Sequence, residues 1–570
     1  MRDRRSKKFI MAKQNSGQPQ SKRKTAIPAG TLSPSWLKGF YPFLWFAVAC
    51  FILYFRTLSF NYTYLDDHAI ILNSMDRIGH LSYIPKAFRE DVFHSPQNIT
   101  LYYRPMLTVS FVLDAVIGGG KFSMFHFSSM IYHLLAVSLL FLCLLELGYE
   151  RLRSFLFSMI FLVHPVVTMA VAWVPGRNDT LLAIFILASF LFFLRSQKKP
   201  GVFGIILHFV FFLAALFTKE SALALPVLLA WYVIFTGKRP VKRILLFSAG
   251  WLVTALIWLM ARMSVIPGAK GTPVSESLLS MVSNLSNIFS FTGKAFFPFF
   301  LSVFPLPQDM LIPGILGGVA ILLILFMVIR TKPLPLSMMI FGTLWFLLFL
   351  LPSFIKVNTP SLEFTEHRVY IPLMGLMIVW METGLIRDAD FRKRIPMACA
   401  AGVIVLFGVL TYIHTGHFRD NIAFWKNASE TSPSNASAFV NLGSMYYWNQ
   451  DFPDAGKAFT QALTLNPGEP KANGGLAVIL MQAEQYTEAE PYYLKEIKLS
   501  PGDENVHFNL GILYYNTGRY DEAVKEWQTT LNINPRHQQA YENLSALLGQ
   551  LKRFDELEEV RTRAKQAGLP

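Results

Sequence analysis

Adjacent carboxylates stand at Asp66 and Asp67 in the stretch "YTYLDDHAIILNS", Tyr62 to Ser74, directly after the first long apolar run of the chain. An aspartate can accept the proton of an attacking hydroxyl. Two carboxylates held close repel each other, which raises one pKa and keeps a proton at hand. A helix N-cap ahead of "HAIILN" is the structural alternative, but a cap needs only one of the pair. Further ionisable residues sit in polar breaks between apolar runs: Arg104, His164, Arg177, Asp179, Lys219, Glu220, Glu366, His367 and Arg368. Arginine and lysine can hold a phosphate and stabilise its charge as it leaves, so Arg104, Arg177, Lys219, His367 and Arg368 are candidate phosphate contacts. Each cation also has a structural reading. Arg104, before Pro105, can be an interfacial anchor with a snorkelling stem. Arg177, in "PGRND", can belong to a structural loop in which Asn178 or Asp179 caps the next helix. Lys219 and Glu220 can neutralise each other, and His164 before Pro165 reads as a packed helix end. Asp66, His68 and Glu366 include the right atoms for a divalent metal, but their spacing matches no ligand pattern. Metal dependence therefore stays open, and the sequence requires no cofactor.

These residues must be positioned by membrane helices. The chain has 570 residues, of which 53% are hydrophobic and 16% charged, against about 25% charged in soluble domains. Apolar stretches recur through its first three quarters, the pattern of a polytopic membrane protein. Cys50, Cys143 and Cys399 all lie inside apolar runs, which excludes a disulfide framework or a paired-cysteine metal site. The formal charge of +15 comes from short loops and from a basic stretch over residues 1–38. That stretch is expected to be a disordered cytoplasmic tail. The apolar run after it lacks a cleavage motif and reads as an uncleaved anchor. Nucleic-acid binding is not expected.

About eleven spans are predicted, beginning near residues 41, 129, 154, 180, 203, 222, 244, 312, 336, 369 and 397, with about 20 residues needed for each. Alternate loops then sort by charge. "ERLR" (150–153), "RSQKK" (195–199), "GKRPVKR" (237–243), "RTK" (330–332) and "RDADFRKR" (387–394) fall on the side of the tail. The Asp66–Asp67 loop, "PGRND", "TKES", the 266–311 segment and "EFTEHR" fall on the other. The positive-inside rule puts the first set in the cytoplasm, and an odd span count puts the C-terminus outside. "YRPMLTVSFVLDAVIG" is short for a span and reads as a re-entrant or interfacial helix. Residues 266–311, broken by Gly293, Lys294 and Pro298, read as amphipathic helices on the outer surface. Paired acids and cations gathered on one side of a bilayer are costly unless they pair or face a wet cavity. They suit transfer from a lipid-linked anionic donor to an extracytoplasmic acceptor.

Beyond residue 420 a period of 34 residues takes over. It relates Pro433, Pro467, Pro501 and Pro535; Phe452, Tyr486, Tyr520 and Phe554; and Ala455, Ala489 and Ala523. Asn441, Gly475, Asn509 and Asn543 share another register position, each followed by leucine. This is the signature of tetratricopeptide repeats, helical hairpins that bury their apolar faces by stacking. About three full repeats and a partial terminal one are predicted. Their concave face can take an extended peptide, or the array can serve as a docking or oligomerisation scaffold. The region is net acidic, unlike a nucleic-acid module.

The ordered motifs "YLDDHAIILNS", "YYRPMLTVSFVLD", "FHFSSMIYHLL", "HPVVTMAVAWVPGRNDTLLA", "FTKESALALPVLL" and "EHRVYIPLMGL", followed by the repeats, resemble the transmembrane and tetratricopeptide repeat-containing O-mannosyltransferase family. The resemblance runs from about residue 40 onward, apart from 266–311. It implies an all-α C-type glycosyltransferase bundle over 39–416 and a tetratricopeptide α-solenoid over 417–570. It further implies a polyprenyl-phosphate-linked sugar donor, typically dolichyl-phosphate mannose, with Ser/Thr hydroxyls of proteins as acceptors. An acidic catalytic residue belongs in the first outer loop, where Asp66 and Asp67 match. Likeness to related protein mannosyltransferases favours Asp66 as base, with Asp67 orienting the acceptor or tuning its neighbour, in a single displacement that inverts the anomeric centre. The outer side is then the bacterial periplasm or the ER lumen. Two rival readings are a glycolipid or cell-wall acceptor and a non-enzymatic membrane-anchored scaffold.

Overall fold

The computed structural model describes residues 34–93, 102–199, 201–236, 241–266, 273–355 and 364–569. Residues 1–33 of the expected basic tail, and 237–240 and 267–272 of the expected loops, lie outside the described residues. Helices make up the fold, and no strand occurs among the described residues.

Each predicted span is present as an apolar helix: Tyr41–Tyr54, Phe122–Leu147, Arg151–Leu162, Arg177–Lys198, Val202–Leu216, Ala224–Thr236, Val241–Val265, Leu311–Arg330, Leu336–Leu350, Tyr370–Glu382 and Arg394–Thr415. Among the described residues, seven helical stretches are long and apolar enough to cross a bilayer, or eight if the pair Arg151–Leu162 and Pro165–Ala172, bent by 54°, counts as one span. The others are short. Val202–Leu216 has 15 residues, about 22 Å at 1.5 Å per residue, against a hydrocarbon core of about 30 Å. Its chain nevertheless runs from one end of the bundle, where Lys198 pairs with Glu146, to the other, where Lys219 pairs with Asp179.

The two ends differ in chemistry. At one end Arg392 pairs with Glu150, Arg153 donates to the Arg387 carbonyl and Arg387 donates to the carbonyls of Pro333 and Lys332. Arg151 there also holds the carbonyls of Leu37 and Gly39, so the start of the first helix lies with the basic loops. The opposite end collects the loops around residues 61–67, 173–179, 217–221, 301–309, 351–355 and 364–368.

Pro105–Gly118 is short and half-embedded, burying Leu107, Thr108, Phe111, Val112 and Ala115. The 266–311 segment departs from the expected surface placement. Val274–Ser283 buries no side chain, but Asn287–Phe296 is pressed into the bundle. Gly293 permits this: a Cβ there would stand 1.9 Å from the Pro313 carbonyl oxygen. The close approach carries Lys294 inward, 1% exposed, to the buried Glu366, at 3.0 Å.

The C-terminal region begins with Asn421–Thr431 and continues as four helical hairpins, Ala436–Leu465, Ala472–Leu499, Glu504–Ile533 and Gln538–Gln566. The fourth is complete where the repeat pattern indicated a partial one. It carries Ser545 where other repeats have glycine or alanine, and no proline in register closes it. The periodic Ala455, Ala489 and Ala523 are each fully buried where hairpin helices cross. Gly511 lets Trp527 close over the neighbouring helix, because a Cβ there would fall 2.5 Å from the indole nitrogen.

This region docks on the outer loops. The Asn61 amide donates to the Arg419 carbonyl at 2.8 Å, the Trp425 indole donates to the Thr63 carbonyl at 3.1 Å, and the Val303 amide donates to Asn427 Oδ1 at 3.2 Å. Phe60, Met169, Trp173, Phe304, Phe424 and Trp425 share one apolar cluster across the junction.

Candidate functional site

A cavity of about 490 Å³ opens among the loops and helix ends opposite the basic loops, within the usual range for small-molecule sites. Asp66, Arg104, Lys219, His367 and Arg368 all line it, although they lie far apart in the sequence. Asp66 opens the short helix Asp66–Ile70. Arg104 precedes Pro105 at the start of its helix, where the proline fixes the exit of the chain. Lys219 and Glu220 form the break between two short membrane helices. His367 and Arg368 sit on the turn Glu366–Val369 that opens Tyr370–Glu382.

The cavity mixes both signs of charge: Arg104, Lys219, His367 and Arg368 line it together with Asp66, Asp179 and Glu220. Arg104 lies 3.7 Å from Glu220 and 4.5 Å from the Tyr102 ring centre. Lys219 donates to Asp179 Oδ1 at 2.7 Å, and His367 Nε2 stands 3.8 Å from Asp179 Oδ2. Arg368 donates to the Ser353 carbonyl at 3.0 Å. A bound phosphate would meet cations from three separate elements, since His367 and Arg368 share one turn, an arrangement that stabilises developing negative charge.

Asp67 behaves differently from its neighbour. It is 1% exposed, and it accepts from the Thr63 amide at 2.7 Å, the Thr63 hydroxyl at 3.0 Å and the His68 amide at 3.1 Å. Burial pushes its carboxyl above the ordinary range, against the pull of those hydrogen bonds. The pair thus divides, with Asp66 at the cavity and Asp67 knotting the loop that carries it.

Tetratricopeptide repeat families match residues 440–504 and 504–537. Protein O-mannosyl-transferase TMTC3 of Homo sapiens is 28% identical over 203 residues, 35% of this chain and 22% of the human protein. Tmtc1 of Drosophila melanogaster, also called a protein O-mannosyl-transferase, is 30% identical over 176 residues, 30% of this chain and 20% of the fly protein. The chain is related to the transmembrane and tetratricopeptide repeat-containing O-mannosyltransferases. The matches span about a fifth of the length of these curated relatives. Among solved structures, a MamA double mutant matches at 17% identity over 26% of this chain and 83% of its own, with a TM-score of 0.24.

In this O-mannosyltransferase relative one candidate phosphate contact lies outside the cavity. Arg177 is fully buried; it pairs with Asp114, donates to Ser129 Oγ at 3.2 Å and to the Phe125 carbonyl, and stacks near the Phe111 ring. It is a structural ion pair that ties three helices together, the loop reading of "PGRND". His164 is likewise a packed helix end, bonded to the Ala295 carbonyl at 2.9 Å. Glu366 is held by Lys294, by the Ser302 amide at 2.7 Å and by His414 at 3.1 Å, away from Asp66 and His68. Burial drives its carboxyl up, but Lys294 and His414 outweigh this and hold it below the ordinary range. Among the described residues no three His, Cys, Asp or Glu side chains gather as a metal would require.

The site also includes Asn178, which the sequence offered as a helix cap, and residues that sequence reasoning did not single out: Trp173, Ser353, Thr365 and Phe304. Asp179 was expected as a cap, yet it is the acidic partner of Lys219. The signal for Trp173, Asn178 and Asp179 was present in "WVPGRND", where a tight Pro-Gly turn sets an indole, an amide and a carboxylate at one helix start. Nothing local marked Thr365 or Phe304.

Proposed function

We propose that this protein is an integral-membrane glycosyltransferase that moves mannose or another hexose from a polyprenyl-phosphate donor to Ser/Thr hydroxyls of extracytoplasmic proteins. The observation that carries the reading is the cavity that Asp66 lines together with Arg104, Lys219, His367 and Arg368. Names of the relatives support the class of reaction.

In this reading the polyprenyl tail stays in lipid and the phosphate enters among the cations. Asp66 takes the proton of the acceptor hydroxyl, whose oxygen attacks the anomeric carbon. The bond from that carbon to the phosphate oxygen breaks on the opposite face, and the configuration inverts. Polyprenyl phosphate leaves with its charge held by Arg104, Lys219, His367 and Arg368. Asp67 fixes the loop through Thr63 and His68. No step calls for a metal. The concave face of the repeats would bind the acceptor, in the bacterial periplasm or, in a eukaryote, the ER lumen.

The test is transfer from radiolabelled polyprenyl-phosphate mannose to a Ser/Thr-rich peptide by membranes containing the protein. Asp66→Asn should lower kcat by about 10²- to 10⁴-fold, the usual worth of a general base. Arg104→Gln should lower it by about 10²- to 10³-fold. Undiminished transfer by Asp66→Asn would overturn the assignment.

A further inference from the structure

The cations of the cavity account for a phosphate but not for the sugar. Four other residues that line it carry buried polar atoms that make no hydrogen bond among the described residues: Trp173 Nε1, Asn178 Oδ1, Asp179 Oδ2, which His367 Nε2 approaches only to 3.8 Å, and Thr365 Oγ1. Each of these residues is 4–5% exposed, so bulk water does not compensate them. A buried polar atom without a partner costs about 1–3 kcal/mol, and native proteins keep few of them. Here four occur around one cavity.

They also stand beside one another. Trp173 and His367 have ring centres 5.5 Å apart. His367 Nε2 reaches to 3.8 Å from Asp179 Oδ2. Asn178 and Asp179 are consecutive on the first turn of Arg177–Lys198, and Thr365 is two residues before His367. The set is chemically mixed. Asn178 Oδ1 and Asp179 Oδ2 accept, Trp173 Nε1 donates, and the Thr365 hydroxyl does both. A phosphate, which only accepts, would be repelled by the carboxylate and would leave the amide oxygen unanswered. A ring bearing several hydroxyls, each donor and acceptor, answers all four.

We propose that Trp173, Asn178, Asp179 and Thr365 form a subsite for the hydroxyls of a neutral hexose, next to the phosphate cradle. The inference rests on the donor reading above and assigns the part of that donor it left without partners. Lys219 joins the two halves, since it borders the cavity as a candidate phosphate contact while fixing Asp179 through Oδ1. A sugar lacking a matching hydroxyl would leave one of these atoms buried and unpaired, which discriminates more sharply than a missing apolar contact.

The test compares binding of polyprenyl-phosphate mannose and of sugar-free polyprenyl phosphate to the full-length protein in lipid nanodiscs. Wild type should bind the mannosyl lipid more tightly. Asn178→Leu, Thr365→Val and Trp173→Phe should each reduce that advantage by about tenfold, one hydrogen bond's worth. Their affinity for polyprenyl phosphate should not change. Because Asn178→Leu and Thr365→Val each remove an unpaired atom at similar volume, their melting temperature without lipid should stay level or rise; a merely structural role predicts that it falls. Equal losses for both lipids, or no loss for either, would overturn the subsite. Wild type that binds neither lipid would overturn the donor reading and the subsite with it.

Discussion

At the scale of single residues, burial and partners separate chemistry from architecture. Asp66 and Asp67 are identical and adjacent, yet three donors engage Asp67 inside the protein while Asp66 borders the cavity. Arg177 makes the same point for cations. Its guanidinium is enclosed by Asp114, Ser129 and the Phe125 carbonyl, so no charge is left for a ligand. Removing one member of a buried pair strands the other, at about 3–5 kcal/mol. Arg177→Met should therefore lower the melting temperature of the detergent-solubilised protein sharply. Adding Asp114→Leu should recover much of the loss, because a buried pair is often replaceable by apolar residues. In any protein that folds, the donor KM should match wild type; a large KM increase in the double variant would return Arg177 to the site.

At the scale of elements, the repeat array is part of the support of the loop that carries Asp66. Trp425, on the first helix of that region, holds the Thr63 carbonyl. Trp448, on the next, packs against Tyr64 with ring centres 5.3 Å apart. Tyr64 has φ of 58°, a left-handed conformation that costs a residue with a side chain about 1–2 kcal/mol and needs such neighbours to persist. Misplacing a reacting group by about 1 Å can cost about a hundredfold. Trp425→Phe, which keeps the ring and removes the N–H, should lower kcat about tenfold at unchanged donor KM. Trp448→Ala should do the same and Trp448→Phe should restore it; limited proteolysis would show the repeats still folded. Unchanged kcat in Trp425→Phe and Trp448→Ala would make the repeats an acceptor platform only. These contacts also mark where sequence reading stops. Apolar runs and the 34-residue period located the helices, because each rests on neighbours within a few turns. The cavity wall did not announce itself, since Thr63 and Trp425 are 362 residues apart and Asp179 and Lys219 are 40 apart. Lys294 was hidden for a related reason: it read as a charge that breaks an apolar run until Gly293 and Glu366 gave it a buried place.

At the scale of the whole molecule, the separation of charge predicts an orientation, and the short helices make that orientation a demanding test. Basic loops at residues 149–153, 195–199, 330–332 and 387–394 share one end with the start of the first helix, and the cavity and repeats share the other. A bilayer that accepts this arrangement must thin locally around Val202–Leu216 and Ala224–Thr236. If that pair failed to cross, the side of every later loop would be unchanged, because two crossings would vanish together. Failure of Tyr370–Glu382, only 13 residues long, would instead carry the repeats to the basic side and away from Asp66. Single cysteines at Lys199, Lys393 and Arg561, all exposed, distinguish these cases after Cys399 is replaced by serine. In sealed vesicles of one orientation, a membrane-impermeant maleimide should label Lys199→Cys and Lys393→Cys together and spare Arg561→Cys, or the reverse in inverted vesicles. Labelling of Lys199→Cys and Arg561→Cys from the same side, with Lys393→Cys on the other, would mean that the paired carboxylates and the repeat array face different compartments.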